Sequence, residues 1–175
     1  SRGGRGFARC DDRAELRVAL ARNRRAFGES IVMEFVPGTE YSVYGLSGRD
    51  GKPIVVVPVR RIQAVSESKK AEVVADPGVQ RVVTAIVSKL GLVGPWNVQV
   101  MKSGSRITLI EVNPRFAGTT SLVVAAGVNL PALAIRLFLG RKIARSELHF
   151  RDGLLMTRYN EEIFRTRRQL AKRVG

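Results

Sequence analysis

The stretch Leu109-Ile110-Glu111-Val112-Asn113-Pro114-Arg115-Phe116 decides how the chain is read. Side chains alternate along a strand, so Glu111 and Asn113 share one face while Ile110 and Val112 point into the apolar layer opposite. Pro114 cannot donate to a ladder; it ends the pairing and aims Arg115 over the polar face. Ser103-Gly104-Ser105 reads as the turn that joins this strand, residues 106–112, to an earlier one over 97–102. That hairpin sets Gln99 opposite or diagonal to Glu111, with Asn97 at the same parity. A carboxylate, amide oxygens and a guanidinium therefore converge on one patch. Mg²⁺ takes oxygen ligands and shares its shell with waters and phosphates, and arginine presents a planar set of donors to phosphate. Spacing alone leaves two readings open: a metal-phosphate site, or a hairpin whose exposed face is polar.

On either side of the hairpin the pattern alternates between hairpins and helices. Asp11 or Asp12 opens an amphipathic helix that runs to about Phe27 and ends at Gly28. Residues 30–35 read as a buried strand, and Pro37-Gly38 as a turn. Strands over 40–46 and 53–62 flank the hairpin signal Asp50-Gly51. The polar run 63–70 reads as an exposed loop. Asp76-Pro77 starts a helix, an N-cap followed by proline at its first position, which continues to about Leu90 and stops at Gly91. Helices over 120–126 and 130–139 follow, then a turn at Arg151-Asp152-Gly153 and a short strand over 154–159. This order predicts an α+β fold with a largely antiparallel sheet.

The composition narrows the function classes. The chain has 175 residues, 45% of them hydrophobic, enough for one domain with or without an appendage. Its longest apolar run, 122–128, is far short of a membrane span, and the glycine- and arginine-rich start has no apolar signal core. A single cysteine, Cys10, excludes an internal disulfide and a cysteine-built zinc site. These features predict a cytoplasmic protein with no membrane partner. Thirty Lys and Arg against 15 Asp and Glu give a net charge of +15, which attracts polyanions. The arginines are dispersed and lack interleaved aromatic residues. A solvated basic surface, or a face toward a partner, is therefore preferred over nucleic-acid binding. His149 reads as a structural or surface histidine rather than a catalytic one. Arg60 and Arg61 point to opposite faces of their strand, so only one of them can face the polar patch.

Glu111-Val112-Asn113-Pro114-Arg115 resembles the Glu-x-Asn-Pro-Arg signature of ATP-grasp enzymes, most closely that of the carbamoyl phosphate synthetase large chain. The resemblance implies that Glu111 and Asn113 bind Mg²⁺ (or Mn²⁺) and that Arg115 contacts the reacting phosphate. Asn97-Val98-Gln99 is similar to the family's preceding strand, which implies Gln99 as a further metal ligand. Met33-Glu34-Phe35-Val36-Pro37-Gly38-Thr39-Glu40-Tyr41-Ser42-Val43 is similar to the family's adenine-binding hinge. It implies that backbone groups around Glu34, Phe35 and Val36 read the base of ATP and that Glu40 binds the ribose hydroxyls. Gly3-Gly4-Arg5-Gly6-Phe7 looks like the glycine-rich loop that covers the phosphates, where glycine permits close approach of backbone amides.

The resemblance spans roughly residues 3 to 142. It divides the chain into a partial ATP-grasp domain, 1–142, and a basic C-terminal extension or linker, 143–175. The implied fold is the large lobe, an antiparallel sheet flanked by helices, with an incomplete N-terminal lobe. The basic residue that precedes the family's glycine loop would fall before Ser1. The implied partners are ATP, a small carboxylate, and a missing N-terminal region or partner chain. The implied reaction is ligation of a carboxylate to an amine or thiol through an acylphosphate. Phosphoryl charge would be stabilised by metal and Arg115, with no protein nucleophile. The alternatives are a non-catalytic nucleotide-binding ATP-grasp fragment and a basic nucleic-acid-binding protein.

Overall fold

The computed structural model describes residues 6–64, 68–159, 161, 162 and 164. Gly3, Gly4 and Arg5 of the glycine loop lie outside the described residues. The first helix, α1 (Arg13–Phe27), is started by Asp12, whose carboxylate accepts from the backbone N–H groups of Ala14 and Glu15. After it come β1 (Thr39–Ser47), β2 (Pro53–Ala64), β3 (Ser68–Val73), α2 (Pro77–Leu90), β4 (Gly94–Ser103), β5 (Arg106–Asn113), α3 (Thr120–Ala125), α4 (Leu130–Phe138) and β6 (Leu155–Thr157). The strands form one antiparallel sheet in the order β5-β4-β1-β2-β3-β6. The fold is α+β, as the alternation of hairpins and helices predicts.

Helices cover both faces of the sheet. On one face Tyr41, Val43, Trp96, Val98 and Val100 pack against Val79, Val83 and Val87, a stripe at helical spacing on α2. On the other face Tyr44, Leu46, Val55, Val57, Val59, Ala71 and Val73 meet Leu122 and Val123 of α3 and Leu130 and Leu133 of α4. The later chain joins this second core through Leu148, Phe150, Leu154 and Met156. Thus the first part of the stretch 143–175 packs on the sheet and adds its sixth strand. Among the described residues no helix is long and apolar enough to cross a membrane.

Three features depart from the expected elements. Residues 30–35 form no strand, and Ile31 and Phe35 are 88% and 51% exposed. Strand β1 already has β2 on one side and β4 on the other, so no sheet position beside it remains for this segment. The run 63–70 is not a loop throughout: β2 continues to Ala64 and β3 begins at Ser68. Ala71 and Val73 of β3 are fully buried while Lys70 and Glu72 alternate with them, so charged residues are accommodated on a strand near the sheet edge. Finally, Gln99 pairs with Glu111 but Val100 pairs with Leu109, which leaves Ile110 as a bulge. An extra residue resets the alternation. Ile107 and Val112, at opposite parity, consequently both pack on the α2 side, whereas Ile110 is not among the residues packed there.

Candidate functional site

Antiparallel register assembles the polar patch. Gln99 lies opposite Glu111, and Asn97 opposite Asn113. On its other side β4 pairs with β1, setting Gln99 opposite Ser42, Asn97 opposite Tyr44 and Met101 opposite Glu40. Tyr44 belongs to the core beneath α3 and α4, so these polar residues lie on the same sheet face. Glu40, Gln99, Glu111 and Asn113 are thereby brought to one face; strand parity predicts this for the last three.

The side chains are held in graded fashion. Asn97 is fully buried; its amide nitrogen donates to Ser42 Oγ at 2.9 Å and to the Val43 carbonyl at 3.2 Å. Ser42 Oγ donates onward to the Tyr44 hydroxyl at 3.3 Å. The opposite end of the amide, Asn97 Oδ1, is buried without a hydrogen-bond partner among the described residues. Asn113 is also buried, and its Oδ1 accepts from Arg115 Nη2 at 3.1 Å. Arg115 Nη1 donates to the Phe116 carbonyl at 3.0 Å. The guanidinium therefore closes over Asn113, the placement expected of a residue just past Pro114. Glu111 is exposed.

Glu40 is ion-paired with Arg61, and both side chains are largely buried, 27% and 14% exposed. Arg60, one residue earlier, lies on the opposite face and pairs with Glu72. Of the two arginines, Arg61 faces the patch. Alternation shows that only one could do so, but choosing between them requires the register Tyr41↔Arg60. The buried network of Ser42, Tyr44 and Asn97 likewise goes beyond the sequence reading; its only trace there is the shared parity of Ser42 and Tyr44.

The hinge residues lie at the entry to β1. Glu34 and Phe35 are exposed and Val36 is buried. Glu34 stands 3.6 Å from Arg106, and the Arg9 guanidinium lies 4.2 Å above the Phe35 ring. Gly6 is fixed to α1 through its carbonyl, which accepts from Asn23 Nδ2 at 2.6 Å.

Among the described residues no group of three His, Cys, Asp or Glu could hold an ion. Gln99, Glu111 and Asn113 offer oxygens only, and Asn97 adds a buried carbonyl with no partner. This set fits Mg²⁺ or Mn²⁺ completed by phosphate and water, and suits zinc poorly. Asn113 Oδ1 has a second lone pair, so holding Arg115 does not bar it from a metal.

Solved structures share this architecture. Carboxyaminoimidazole ribonucleotide synthase from Aspergillus clavatus, solved with ATP, superposes with a TM-score of 0.69 at 17% identity, over 90% of this chain and 43% of that one. The biotin carboxylase domain of 2-oxoglutarate carboxylase from Hydrogenobacter thermophilus, solved with MgADP and bicarbonate, gives 0.66 at 16% identity, over 86% and 37%. N5-carboxyaminoimidazole ribonucleotide synthetase from Thermus thermophilus gives 0.57 at 17% identity, over 74% and 39%. The chain thus shares the fold of these structures. The family described as "ATP-grasp in the biosynthetic pathway with Ter operon" matches residues 26–162, and the chain belongs to it. The carbamoyl phosphate synthase large chain of Gemmatimonas aurantiaca is 44% identical over 61 residues, which is 34% of this chain and 6% of that protein. The chain therefore spans less than half of these structures and a small part of that relative.

Proposed function

We propose that this chain supplies the Mg·ATP-binding portion of an ATP-dependent ligase that joins a small carboxylate to an amine or thiol. The observation that carries the reading is the β4–β5 register, which sets Gln99 against Glu111 beside Asn113 with Arg115 folded over it. Gln99, Glu111 and Asn113 would hold Mg²⁺ (or Mn²⁺), which when bound would neutralise phosphate charge. Glu34, Phe35 and Val36 would flank the adenine and Glu40 the ribose, with Gly3, Gly4, Arg5 and Gly6 over the phosphates. The Glu40–Arg61 pair refines that role: Arg61 fixes the Glu40 carboxylate and brings a cation to the patch.

In the reaction, a carboxylate oxygen would attack the γ-phosphorus of ATP while the bond to ADP breaks. The amine or thiol would then attack the acyl carbon and expel inorganic phosphate. Arg115 would stabilise charge on the transferring group, so catalysis would rest on positioning and electrostatics. A further N-terminal region or partner chain is part of the reading. The longer relatives support it, as does the apolar surface of residues 31–35. A cytoplasmic setting, where ATP is abundant, fits the same reading.

The test is calorimetric titration of Mg·ATP into the chain beside Glu111→Ala, at moderate salt to suppress nonspecific attraction to the basic surface. Binding is expected to require Mg²⁺ and to weaken at least about tenfold in the variant, since even groups behind metal ligands cost that much when removed. Equal binding by the two proteins would overturn the assignment. Metal-dependent binding without ligation across a carboxylate screen would instead mark a non-catalytic nucleotide-binding fragment.

A further inference from the structure

Arg115 is carried on the loop 114–119, which leaves β5 at one edge of the sheet. The carbonyl of Gly118 in that loop accepts a hydrogen bond at 2.9 Å from Nη2 of Arg158, which follows β6 at the other edge. These two residues are 40 positions apart in sequence. On a flat sheet, edges separated by five strand spacings lie about 24 Å apart. The five residues from Asn113 to Gly118 reach at most about 17 Å. The long Arg158 side chain and the sheet twist close the difference, so the loop is a bridge across the face that holds the metal-type ligands.

Both ends of the bridge are anchored. At the near end the Arg115 N–H donates to the Asn113 carbonyl at 2.8 Å. Thr120 Oγ1 donates to the Ala117 carbonyl at 2.7 Å, bracing the loop where α3 begins. At the far end the Arg158 N–H donates to the Lys69 carbonyl at 2.8 Å, which continues the β3–β6 ladder. Arg158 is therefore fixed by the sheet and reaches inward to the loop. We infer that Arg158 is a positioning residue for Arg115: it holds the bridge across the sheet face so that the Arg115 guanidinium stays over Asn113. The inference rests on the proposed role of Arg115 at the reacting phosphate.

Hydrogen exchange and nucleotide affinity test it together. Arg158→Ala is expected to speed amide exchange in residues 116–119 at least severalfold, with β1 and β4 unchanged. Arg158→Lys, which keeps the cation and loses the planar fork, should fall between. A contact at the terminal phosphate makes the ratio of Mg·ATP to Mg·ADP affinity the readout of Arg115. Arg115→Ala should lower that ratio about tenfold, the worth of a charge-assisted hydrogen bond. Arg158→Ala should lower it in the same direction, and the double variant should lose no more than Arg115→Ala alone. Losses that multiply, or unchanged exchange in the loop, would overturn the inference. A wild-type ratio near unity would overturn the reading of Arg115 instead, and the exchange data would still show whether Arg158 holds the loop.

Discussion

Gly45 is where β1 passes beneath the indole of Trp96, and no other residue fits there. A Cβ at this position would lie 2.2 Å from Trp96 Cζ2 and 2.5 Å from the Val55 carbonyl oxygen. The carbonyl belongs to the neighbouring strand and cannot yield without breaking the ladder, while the indole is pinned by its N–H, which donates to Ser47 Oγ at 2.8 Å. Gly45→Ala should therefore destabilise the protein by about 1–3 kcal/mol, the usual cost of overpacking, with Tm falling by several degrees. Trp96 is the chain's single tryptophan, so denaturant unfolding followed by its fluorescence reads this site directly. An unchanged midpoint would show that β1 and β4 are looser here than the structure indicates. Gly38 makes a comparable demand at the head of β1, with φ at 144° and a would-be Cβ 2.3 Å from the Lys102 carbonyl oxygen. It sets the start of the strand that presents Glu40.

Helix α2 is joined to the sheet by one carboxylate serving three partners. Asp76 Oδ1 accepts from the Val79 N–H at 3.1 Å as N-cap, while Oδ2 accepts from Lys102 Nζ and from the Tyr41 hydroxyl at 3.3 Å. Burial pushes the Asp76 carboxyl up. The hydrogen bonds from Lys102, Val79 and Tyr41 and the Lys102 charge outweigh that, and hold it below the usual carboxylate range. A carboxyl depressed in the folded state stabilises the fold above its unfolded pKa. That contribution is lost as pH falls through the ordinary carboxylate range toward the lower folded value. Asp76→Asn keeps an N-cap but loses the charge-assisted hydrogen bond from Lys102, so it should unfold at lower denaturant than wild type at neutral pH, by about 1 kcal/mol or more. The gap should shrink steadily in acid; one that is the same at pH 7 and in strong acid would refute the electrostatic part. Elements with such local punctuation were legible in the sequence. Asp76-Pro77 and Gly91 bracket α2, and Ser103-Gly104-Ser105 with strand parity yields the Glu111–Asn113 face. Features that depend on distant neighbours were not. Residues 30–35 have strand composition but no place beside β1, and β3 is obscured by Ser68, Lys69 and Lys70. The bulge at Ile110 and the choice of Arg61 over Arg60 follow from register alone.

At the scale of the whole molecule, burial is unevenly shared. Helix α2 buries Val79, Val83 and Val87 completely, whereas α1 buries no residue. An isolated helix of about 15 residues is marginal in water. Among the described residues its support is mostly local: the Asp12 cap, the Asp11 N–H donating to Glu15 Oε2 at 2.8 Å, and Arg24 and Arg25 at the negative end of its dipole, with Asn23 tying it to Gly6. The segment after it, residues 29–35, is exposed throughout and carries the proposed adenine-binding positions Glu34 and Phe35. Because local opening follows local burial, residues 6–35 should open at a much lower free energy than the sheet. Native-state hydrogen exchange should show α1 amides exchanging orders of magnitude faster than those of β1, β4 and α2. A limiting amount of protease should cut first within residues 28–37. If the proposed nucleotide site is right, saturating Mg·ATP should slow cleavage there, since ligand bound to the ordered form must be released before the segment opens. Slowing by Mg·ATP that disappears in Glu111→Ala would tie the hinge and the β4–β5 hairpin into one site; protection that survives in the variant would separate them.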